Sequence, residues 1–329
     1  MKNINRLFKK GLALLPLSLV LLLTGCNSDL AILDPKGPVA QTQKDLILYS
    51  VYFMLFIVVV VFAAFTYMVV KYRANRPGRK DTDYDPDMHG NNKIEVIWTV
   101  IPFIIVIALS IPTVDTLFQL EKPPEAEANE EEQEPLVIHA TTADWKWFFS
   151  YPEENIETVN YLHIPTDRPI EFKLSSADAM TALWIPRLGG QKYNMAGMMN
   201  THYLEADEEG VYKGRNSNFN GEGFTKQTFE VYAESPEAYD QWVSETQNQA
   251  PELTQDRYDE LLTPGLTEEH EFSSTHLAWV NHGNHEGMDY AINRHFEKYG
   301  ELMHLESHQD AGDFMDEENN DDHESDRDH

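Results

Sequence analysis

Two long apolar stretches constrain the fold of this 329-residue chain more than any other feature. Residues 46–70 contain no charged side chain, and residues 96–117 contain only Asp115. At 1.5 Å per residue, the first stretch forms a helix of roughly 37 Å, longer than the hydrocarbon core of a bilayer, about 30 Å. The second contains Pro102 and Pro112, which membrane helices tolerate when neighbours satisfy the freed carbonyls. We therefore predict two transmembrane helices, 46–70 and 96–117.

The N-terminus has the features of an export signal. A basic start is followed by an apolar stretch, residues 11–23, that is too short to span a bilayer comfortably. The run Leu23-Thr24-Gly25-Cys26 resembles the lipobox of bacterial lipoproteins, in which the signal is removed before a cysteine that then carries the lipid. These features predict a signal peptide over residues 1–25, lipidation of Cys26 and a lipid-attached segment over residues 26–45. The alternative is an uncleaved anchor with an incidental cysteine.

Cysteine content and charge exclude several classes of protein. Cys26 is the only cysteine, so no disulfide and no site that needs two thiolates can form within the chain. The formal net charge of −30 argues against a nucleic-acid-binding protein, which needs a basic face. Much of the acid lies in two blocks, 125–134 and 301–329, and such blocks are usually solvated and disordered.

Basic residues predict the orientation in the membrane. The loop between the two helices, residues 71–95, carries Lys and Arg side chains that crowd the end of the first helix. Because positively charged loops stay in the cytoplasm, everything after Leu117 and the mature N-terminus should lie outside. An exported N-terminus requires the same arrangement. We predict a multi-pass, lipid-anchored protein of the cell membrane with both termini extracytoplasmic.

Glu95 is the one acidic residue at the predicted cytoplasmic mouth of the second helix. A carboxylate at that depth can take up protons from the cytoplasm and hold them near a channel. It can equally be an interfacial acid paired with Lys93, beside the belt tryptophan Trp98. The residues alone favour the interfacial pair.

After the second apolar stretch, the pattern of apolar residues is first that of β-strands and then that of α-helices. After an acidic linker, 118–135, residues 136–234 form short alternating runs separated by turn signals, which favours an all-β sandwich or barrel. Residues 235–303 predict an α-helical extension, whose first helix begins with the cap Ser235 and whose third covers 288–303. The tail, 304–329, is acidic, bears histidines and is expected to be disordered. The expected strands lie at 136–140, 145–151, 158–164, 169–174, 182–186 and 228–233.

Three motifs in order carry a resemblance to a known family. They are Glu95-Val96-Ile97-Trp98-Thr99-Val100-Ile101-Pro102, Asp144-Trp145-Lys146-Trp147-Phe148-Phe149 and Leu183-Trp184-Ile185-Pro186-Arg187-Leu188-Gly189-Gly190. Together, over roughly residues 40 to 245, they resemble subunit II of the haem-copper respiratory oxidases. The resemblance implies a two-helix membrane hairpin and a cupredoxin-like outer sandwich.

The copper-bearing branch of that family holds a dinuclear copper centre in the outer domain. Its ligands are two cysteines, two histidines, a methionine and a glutamate carbonyl, because soft thiolates hold the two ions close together. None of the expected side-chain ligands is present at the matching positions of this chain, and amides bind copper poorly. The resemblance therefore implies that this chain binds no cofactor itself. The degenerate ligand positions are Thr181, Asn216, Asn218, Asn220, Phe224 and Gln227.

This pattern, the lipoprotein start and the segment 187–198 are similar to the quinol oxidase branch, aa3 type, of Gram-positive bacteria. The resemblance implies a non-catalytic subunit II of a proton-translocating quinol:oxygen oxidoreductase. It would work with subunits I, III and IV, membrane lipid and membrane quinol, with haem and copper in subunit I. Glu95 would then lie at the entrance of a proton path. Trp145 and Trp147 would be core and interface aromatics rather than an electron-entry site.

Two other functions remain open from the sequence. One is a cytochrome c oxidase subunit II with a degenerate copper site, whose acidic surface would attract a basic cytochrome. The other is a metal-binding lipoprotein that uses histidines near the C-terminus, where His282 and His285 have the spacing of a ligand pair. The second leaves the oxidase-like motifs unexplained, and acidic, histidine-bearing tails are usually solvated.

Overall fold

The computed structural model describes residues 30–73, 90–124 and 133–303, with side chains to residue 294. The predicted signal peptide, Cys26 and the acidic tail lie outside the described residues, as do much of the cytoplasmic loop and of the acidic linker. Two long helices precede a β-sandwich, and a C-terminal extension follows it. The helices are α1 (Pro38–Tyr72), α2 (Asn92–Leu120), α3 (Pro236–Gln249), α4 (Gln255–Leu261) and α5 (His285–Met303).

Helices α1 and α2 are long and apolar enough to cross a membrane. Helix α1 starts before the predicted span, because its first turn belongs to the β-sandwich domain, which is called the outer domain after its predicted location outside the cell. Val39 is only 4% exposed and packs in the core of the sandwich. Asn91 caps α2, where its side-chain oxygen accepts hydrogen bonds from the amides of Lys93, at 3.0 Å, and Ile94, at 3.4 Å. Each span lies within a single unbroken helix.

Tyr49 joins the two spans at a proline. Pro112 has no N–H, so the carbonyl of Ala108, four residues earlier, loses its helical donor. The hydroxyl of Tyr49 on α1 donates to that carbonyl at 3.3 Å. A residue of the neighbouring helix thus satisfies the freed group, which is the condition under which a membrane helix tolerates proline.

We expect Tyr49→Phe to weaken the pairing of the two spans by about 1 kcal/mol, because one interhelical hydrogen bond in a membrane contributes on that scale. The measurement is the temperature at which the purified oxidase complex dissociates in detergent. Tyr52→Phe is the matched control, since the Tyr52 hydroxyl forms no hydrogen bond with any described residue and Tyr52 is 68% exposed. Equal shifts for the two variants would contradict the assignment.

The outer domain is a sandwich of two mixed sheets. One has the strand order β11-β3-β2-β1-β5-β8, and the other has the order β4-β10-β9-β6-β7. The parallel neighbours are β1 with β5 and β4 with β10. The strands are β1 (Leu136–Ala143), β2 (Lys146–Tyr151), β3 (Ile156–Val159), β4 (Tyr161–Pro165), β5 (Ile170–Ser176), β6 (Thr181–Trp184), β7 (Lys192–Asn194), β8 (Asn200–Leu204), β9 (Gly210–Asn216), β10 (Thr228–Glu234) and β11 (His270–Phe272).

One predicted strand, 158–164, is in fact two strands in different sheets. Asn160 adopts a positive φ of 65°, which an extended strand does not allow, and the chain crosses there from β3 to β4. The sequence prediction also omitted β7, β8 and β9, which lie in polar segments. Asn160 fixes the corner by accepting a hydrogen bond from the amide of Trp147 at 3.0 Å.

The core lies between the two sheets. Trp147 and Phe149 point inward from β2, and each ring lies 5.0 Å from the ring of Phe229 on β10. Trp147 has no exposed surface, as expected for a core aromatic. Aromatic pairs at this distance stabilise a core beyond the effect of the buried area.

The C-terminal extension covers the other face of the larger sheet, so this half of the domain has three layers. Phe148 points outward from β2 and packs with Tyr258 of α4, ring centroids 5.4 Å apart. The extension is mostly helical, as predicted, but it also contributes β11, which pairs with the edge strand β3. An edge strand offers free backbone groups, and β11 satisfies them.

Candidate functional site

The six degenerate ligand positions lie on three segments at one end of the sandwich. Thr181 opens β6, and Asn216 ends β9. Asn218 and Asn220 follow in the next loop, Phe224 begins a 3-10 turn, and Gln227 immediately precedes β10. The antiparallel pairing of β6 with β9, in which Leu183 lies opposite Asn216, brings the first segment beside the second.

Three of the six side chains form one hydrogen-bonded amide network. The Asn216 oxygen accepts from the amides of Ala182, at 3.0 Å, and Asn218, at 2.8 Å. The Gln227 oxygen accepts from the side chains of Asn216, at 2.8 Å, and Asn220, at 2.9 Å. Asn216 is 2% exposed and Gln227 is 1% exposed. This amide network therefore binds adjacent strands and the loop after β9 together.

The other three positions face elsewhere. The Thr181 hydroxyl shares a hydrogen bond of 2.9 Å with that of Thr142 on the other sheet. The Asn218 side chain donates to the Met180 carbonyl at 2.9 Å. The Phe224 ring packs edge-on against Phe219 at 5.6 Å.

Trp145 covers the amide network. It occupies the two-residue turn between β1 and β2 with Asp144, and both have positive φ, 72° and 35°. Such a turn favours asparagine and glycine, so a tryptophan there is strained. Its indole nitrogen donates to the Asn220 carbonyl at 3.2 Å. A Cβ atom on Gly223 would lie 2.2 Å from the indole ring, so only glycine fits beneath it.

Lys146 connects this turn to the C-terminal extension. Its ammonium group donates to the carbonyls of Thr263, at 2.8 Å, and Gly265, at 2.7 Å. Burial lowers the pKa of Lys146 to about 8, although Asp144 and Asp178 oppose that shift. Burial, together with the charge of Asp144, raises the pKa of Asp178 to about 8. The sequence signal for Lys146 was a lysine at an otherwise apolar strand position.

A second buried polar group was missed by the sequence analysis. Glu157 of β3 accepts hydrogen bonds from the Ser150 hydroxyl, at 2.8 Å, and the His276 amide, at 3.0 Å. The same oxygen lies 2.7 Å from Nδ1 of His276. Glu157 and His276 are both fully buried. The tyrosine ring of Tyr258 stacks on His276 at 4.6 Å.

The prediction that the C-terminal histidines are solvated is wrong for His276 and His282, which are both fully buried. Nε2 of His282 lies 2.8 Å from the Tyr258 hydroxyl, and Nδ1 lies 3.0 Å from the Gly287 carbonyl. Both ring nitrogens are therefore engaged, and the pair with His285 is not available to a metal. Across the described parts of the chain, no group of three His, Cys, Asp or Glu side chains could hold one.

Glu95 lies in the first turn of α2, with its side chain exposed. Its carboxylate approaches Gly90, where a Cβ atom would lie 2.4 Å from Oε1. Lys93 and Glu95 both lie in the described part of the chain, and they form no ion pair with each other. Within residues 30–73, 90–124 and 133–303, no side chain forms an ion pair with this carboxylate.

Comparison with known proteins gives consistent matches. The model of the transmembrane domain of cytochrome c oxidase subunit II matches residues 25–116. Quinol oxidase subunit 2 of Bacillus subtilis (strain 168) is 58% identical over 278 residues, 84% of this chain and 85% of the relative. The Bacillus anthracis protein of that name is 49% identical over 289 residues, 88% of this chain and 97% of the relative.

Solved structures also match. The periplasmic domain of subunit II of cytochrome oxidase (CoxB) of Bradyrhizobium japonicum has 20% identity and a TM-score of 0.33, covering 37% of this chain and 95% of that chain. A chain of a heme-copper terminal oxidase dimer has 15% identity and a TM-score of 0.33, covering 44% of this chain and 99% of that chain.

Two apolar helices followed by a cupredoxin-like β-sandwich define the subunit II class of haem-copper oxidases, as the resemblance implied. The identity and coverage of the Bacillus relatives are high enough to go further. The chain belongs to the quinol oxidase subunit 2 family. It is a membrane subunit of a terminal oxidase, an oxidoreductase complex of several subunits.

Proposed function

We propose that this chain is a non-catalytic subunit II, and that electrons from quinol reach the partner subunit without passing through a metal in this chain. The amide network supports the proposal. At the six degenerate ligand positions the side chains are amides, a hydroxyl and a phenyl ring, and Asn216, Asn220 and Gln227 bond to one another. This donor set does not fit a dinuclear copper centre, which needs soft thiolates.

The identity of the electron donor follows from that donor set. A water-soluble cytochrome docks outside the membrane, and its electron needs an intermediate centre to reach haem. A quinol dissolves in the bilayer and delivers electrons close to the haem directly. Loss of the copper ligands therefore indicates a change of donor and not an inactive enzyme. Haem and copper belong, in this proposal, to subunit I.

The purified complex should oxidise quinol, turn over little with reduced cytochrome c and show no dinuclear-copper signal. The measurements are oxygen consumption with each donor and electron paramagnetic resonance of the oxidised complex. Turnover on reduced cytochrome c alone would instead support a cytochrome c oxidase with an altered site. A dinuclear-copper signal from this subunit would overturn the proposal.

We infer further that subunits I, III and IV are the partners and that the sandwich lies outside the cell. Lys71 and Arg73 at the end of α1 support this orientation, because basic residues remain in the cytoplasm. The lipobox-like run supports removal of residues 1–25 and lipidation of Cys26. The mass of the N-terminal peptide of the purified chain tests the lipidation.

We propose that Glu95 collects protons for the partner subunit, since its carboxylate is exposed and is not paired with Lys93. Glu95→Ala should slow quinol oxidation at least about tenfold while the complex still assembles, because a positioned proton carrier contributes at that scale or above. Glu95→Asp should retain most of the rate. Asp115→Asn, at the other end of α2, is the matched control. Unchanged turnover of Glu95→Ala would remove the role.

A further inference from the structure

Five of the eleven methionines come together at one corner of the outer domain. Three belong to the loop 195–199 after β7, one precedes β6, and one lies in the first turns of α5. We call this group the methionine corner. Its members are Met180, Met195, Met198, Met199 and Met288.

Backbone pairing brings the first three together. Met195 and Met198 form an antiparallel bridge, so their side chains leave the same face close to each other. In the pairing of β6 with β7, Thr181 lies opposite Asn194. Met180 immediately precedes Thr181 and Met195 immediately follows Asn194, so both residues extend from the same end of this pairing. Three thioethers therefore start from adjacent backbone positions.

The C-terminal extension completes the corner. The amide of Gly197 donates to the His282 carbonyl at 3.1 Å. A Cβ atom on Gly197 would lie 3.6 Å from the Met288 sulfur, and one on Gly283 would lie 2.3 Å from the Met199 methyl group. Met288 thus lies against the loop at Gly197, and Met199 of the loop lies against Gly283 of the extension.

The first three methionines are not core residues. Met198 is 52% exposed and Met180 is 44% exposed, while Met195 is half-buried. Thioethers are soft ligands that carry no proton at any relevant pH, and soft ligands select Cu(I) over Zn²⁺ and other harder ions. An exposed group of three such side chains has the chemistry of a Cu(I) site. That the partner subunit uses copper rests on the proposed function.

We propose that the methionine corner binds one Cu(I) ion through Met180, Met195 and Met198. The ion enters and leaves as Cu(I), so no redox step is involved. This site differs from the amide network, whose side chains are already bonded to one another. Its ligands are thioethers rather than the histidines near the C-terminus.

The test is an anaerobic titration of the purified complex with Cu(I), in competition with a chromogenic Cu(I) chelator. The triple variant Met180→Leu, Met195→Leu and Met198→Leu should lose one equivalent of Cu(I). Single variants should weaken binding at least about tenfold, since even an outer-shell change at a metal site costs that much. Leucine nearly conserves the volume of methionine, so the fold should persist.

Met54→Leu with Met68→Leu is the matched control, because these two methionines are similarly exposed but lie on α1. The control should bind as the parent does, and Ag(I), but not Zn²⁺, should compete for the site. Quinol oxidase turnover reports whether each variant has assembled. Equal Cu(I) binding by the parent and the triple variant would overturn the proposal. So would a triple variant that fails to assemble while the single variants keep full affinity, since the corner would then be a subunit contact.

Discussion

Glu157→Leu should destabilise the attachment of the C-terminal extension by about 3–5 kcal/mol, because it removes the acceptor of several buried donors, and each buried donor left unsatisfied costs about 1–3 kcal/mol. One carboxylate oxygen of Glu157 accepts hydrogen bonds from the Ser150 hydroxyl and from the backbone amide of His276. The same oxygen is within hydrogen-bonding distance of the His276 ring. Leucine leaves these donors without an acceptor in an interface from which water is excluded. The cost of unsatisfied buried donors, and not the lost attraction alone, sets the size of the effect.

Hydrogen exchange of the amides of residues 270–280 in the purified complex measures this free energy. Glu208→Gln is the control, because Glu208 pairs with Lys36 at the surface and its side chain is 61% exposed. A surface pair contributes at most about 1 kcal/mol. The double variant Glu157→Leu, His276→Leu should recover part of the loss, since it removes both partners. A single variant as stable as the control would contradict the interpretation.

Removing His282 should make the outer domain less sensitive to acid. Burial lowers the pKa of His282 to about 3, whereas an unfolded histidine titrates near 6.5. Below about pH 6.5, His282 binds a proton in the unfolded chain but stays neutral in the folded chain. The stability associated with neutral His282 is therefore complete above that pH and is lost as the pH falls towards 3. Between pH 7 and pH 5 the loss is about 2 kcal/mol.

The variant His282→Gln has no group that titrates at this position, so its stability lacks this pH-dependent contribution. Its deficit against the parent chain, set at pH 7 by the hydrogen bonds to Tyr258 and Gly287, should shrink by about 2 kcal/mol at pH 5. Urea unfolding of the full chain, followed by tryptophan fluorescence at both pH values, measures the difference. Other titrating groups act in both proteins and cancel. His285→Gln, an exposed neighbour, should show no such change. A deficit of His282→Gln that stayed constant with pH would contradict the argument.

The two spans and the start of the sandwich could be predicted because their signals are local. A run without charges, or an alternation along one strand, needs no knowledge of distant residues. The corner at Asn160 depends on a single backbone angle inside an apparently continuous run. The strand β11 forms because the edge strand β3, more than a hundred residues earlier, offers backbone groups. The local sequence pattern predicts neither the corner at Asn160 nor the pairing of β11 with β3.

The same limit applies to the candidate site: its positions could be predicted from the sequence, but the contacts between its side chains could not. The resemblance located the six positions, yet only the fold revealed which side chains meet, such as Asn216 with Gln227 and not with Thr181. Glu157 and His276 are 119 residues apart, so each looked like an ordinary polar residue of a solvated segment. The methionine corner could not be predicted for the same reason, since the pairing of Thr181 with Asn194 brings the neighbouring residues Met180 and Met195 to the same end of β6 and β7.

Helix α1 has a mechanical consequence. It runs without a break from Val39, inside the sandwich, to Tyr72 at the far end of the span. A continuous helix resists bending much more strongly than a loop does. The outer domain therefore cannot rotate independently of the first span. A change in the tilt of that span should reorient the domain by a similar angle.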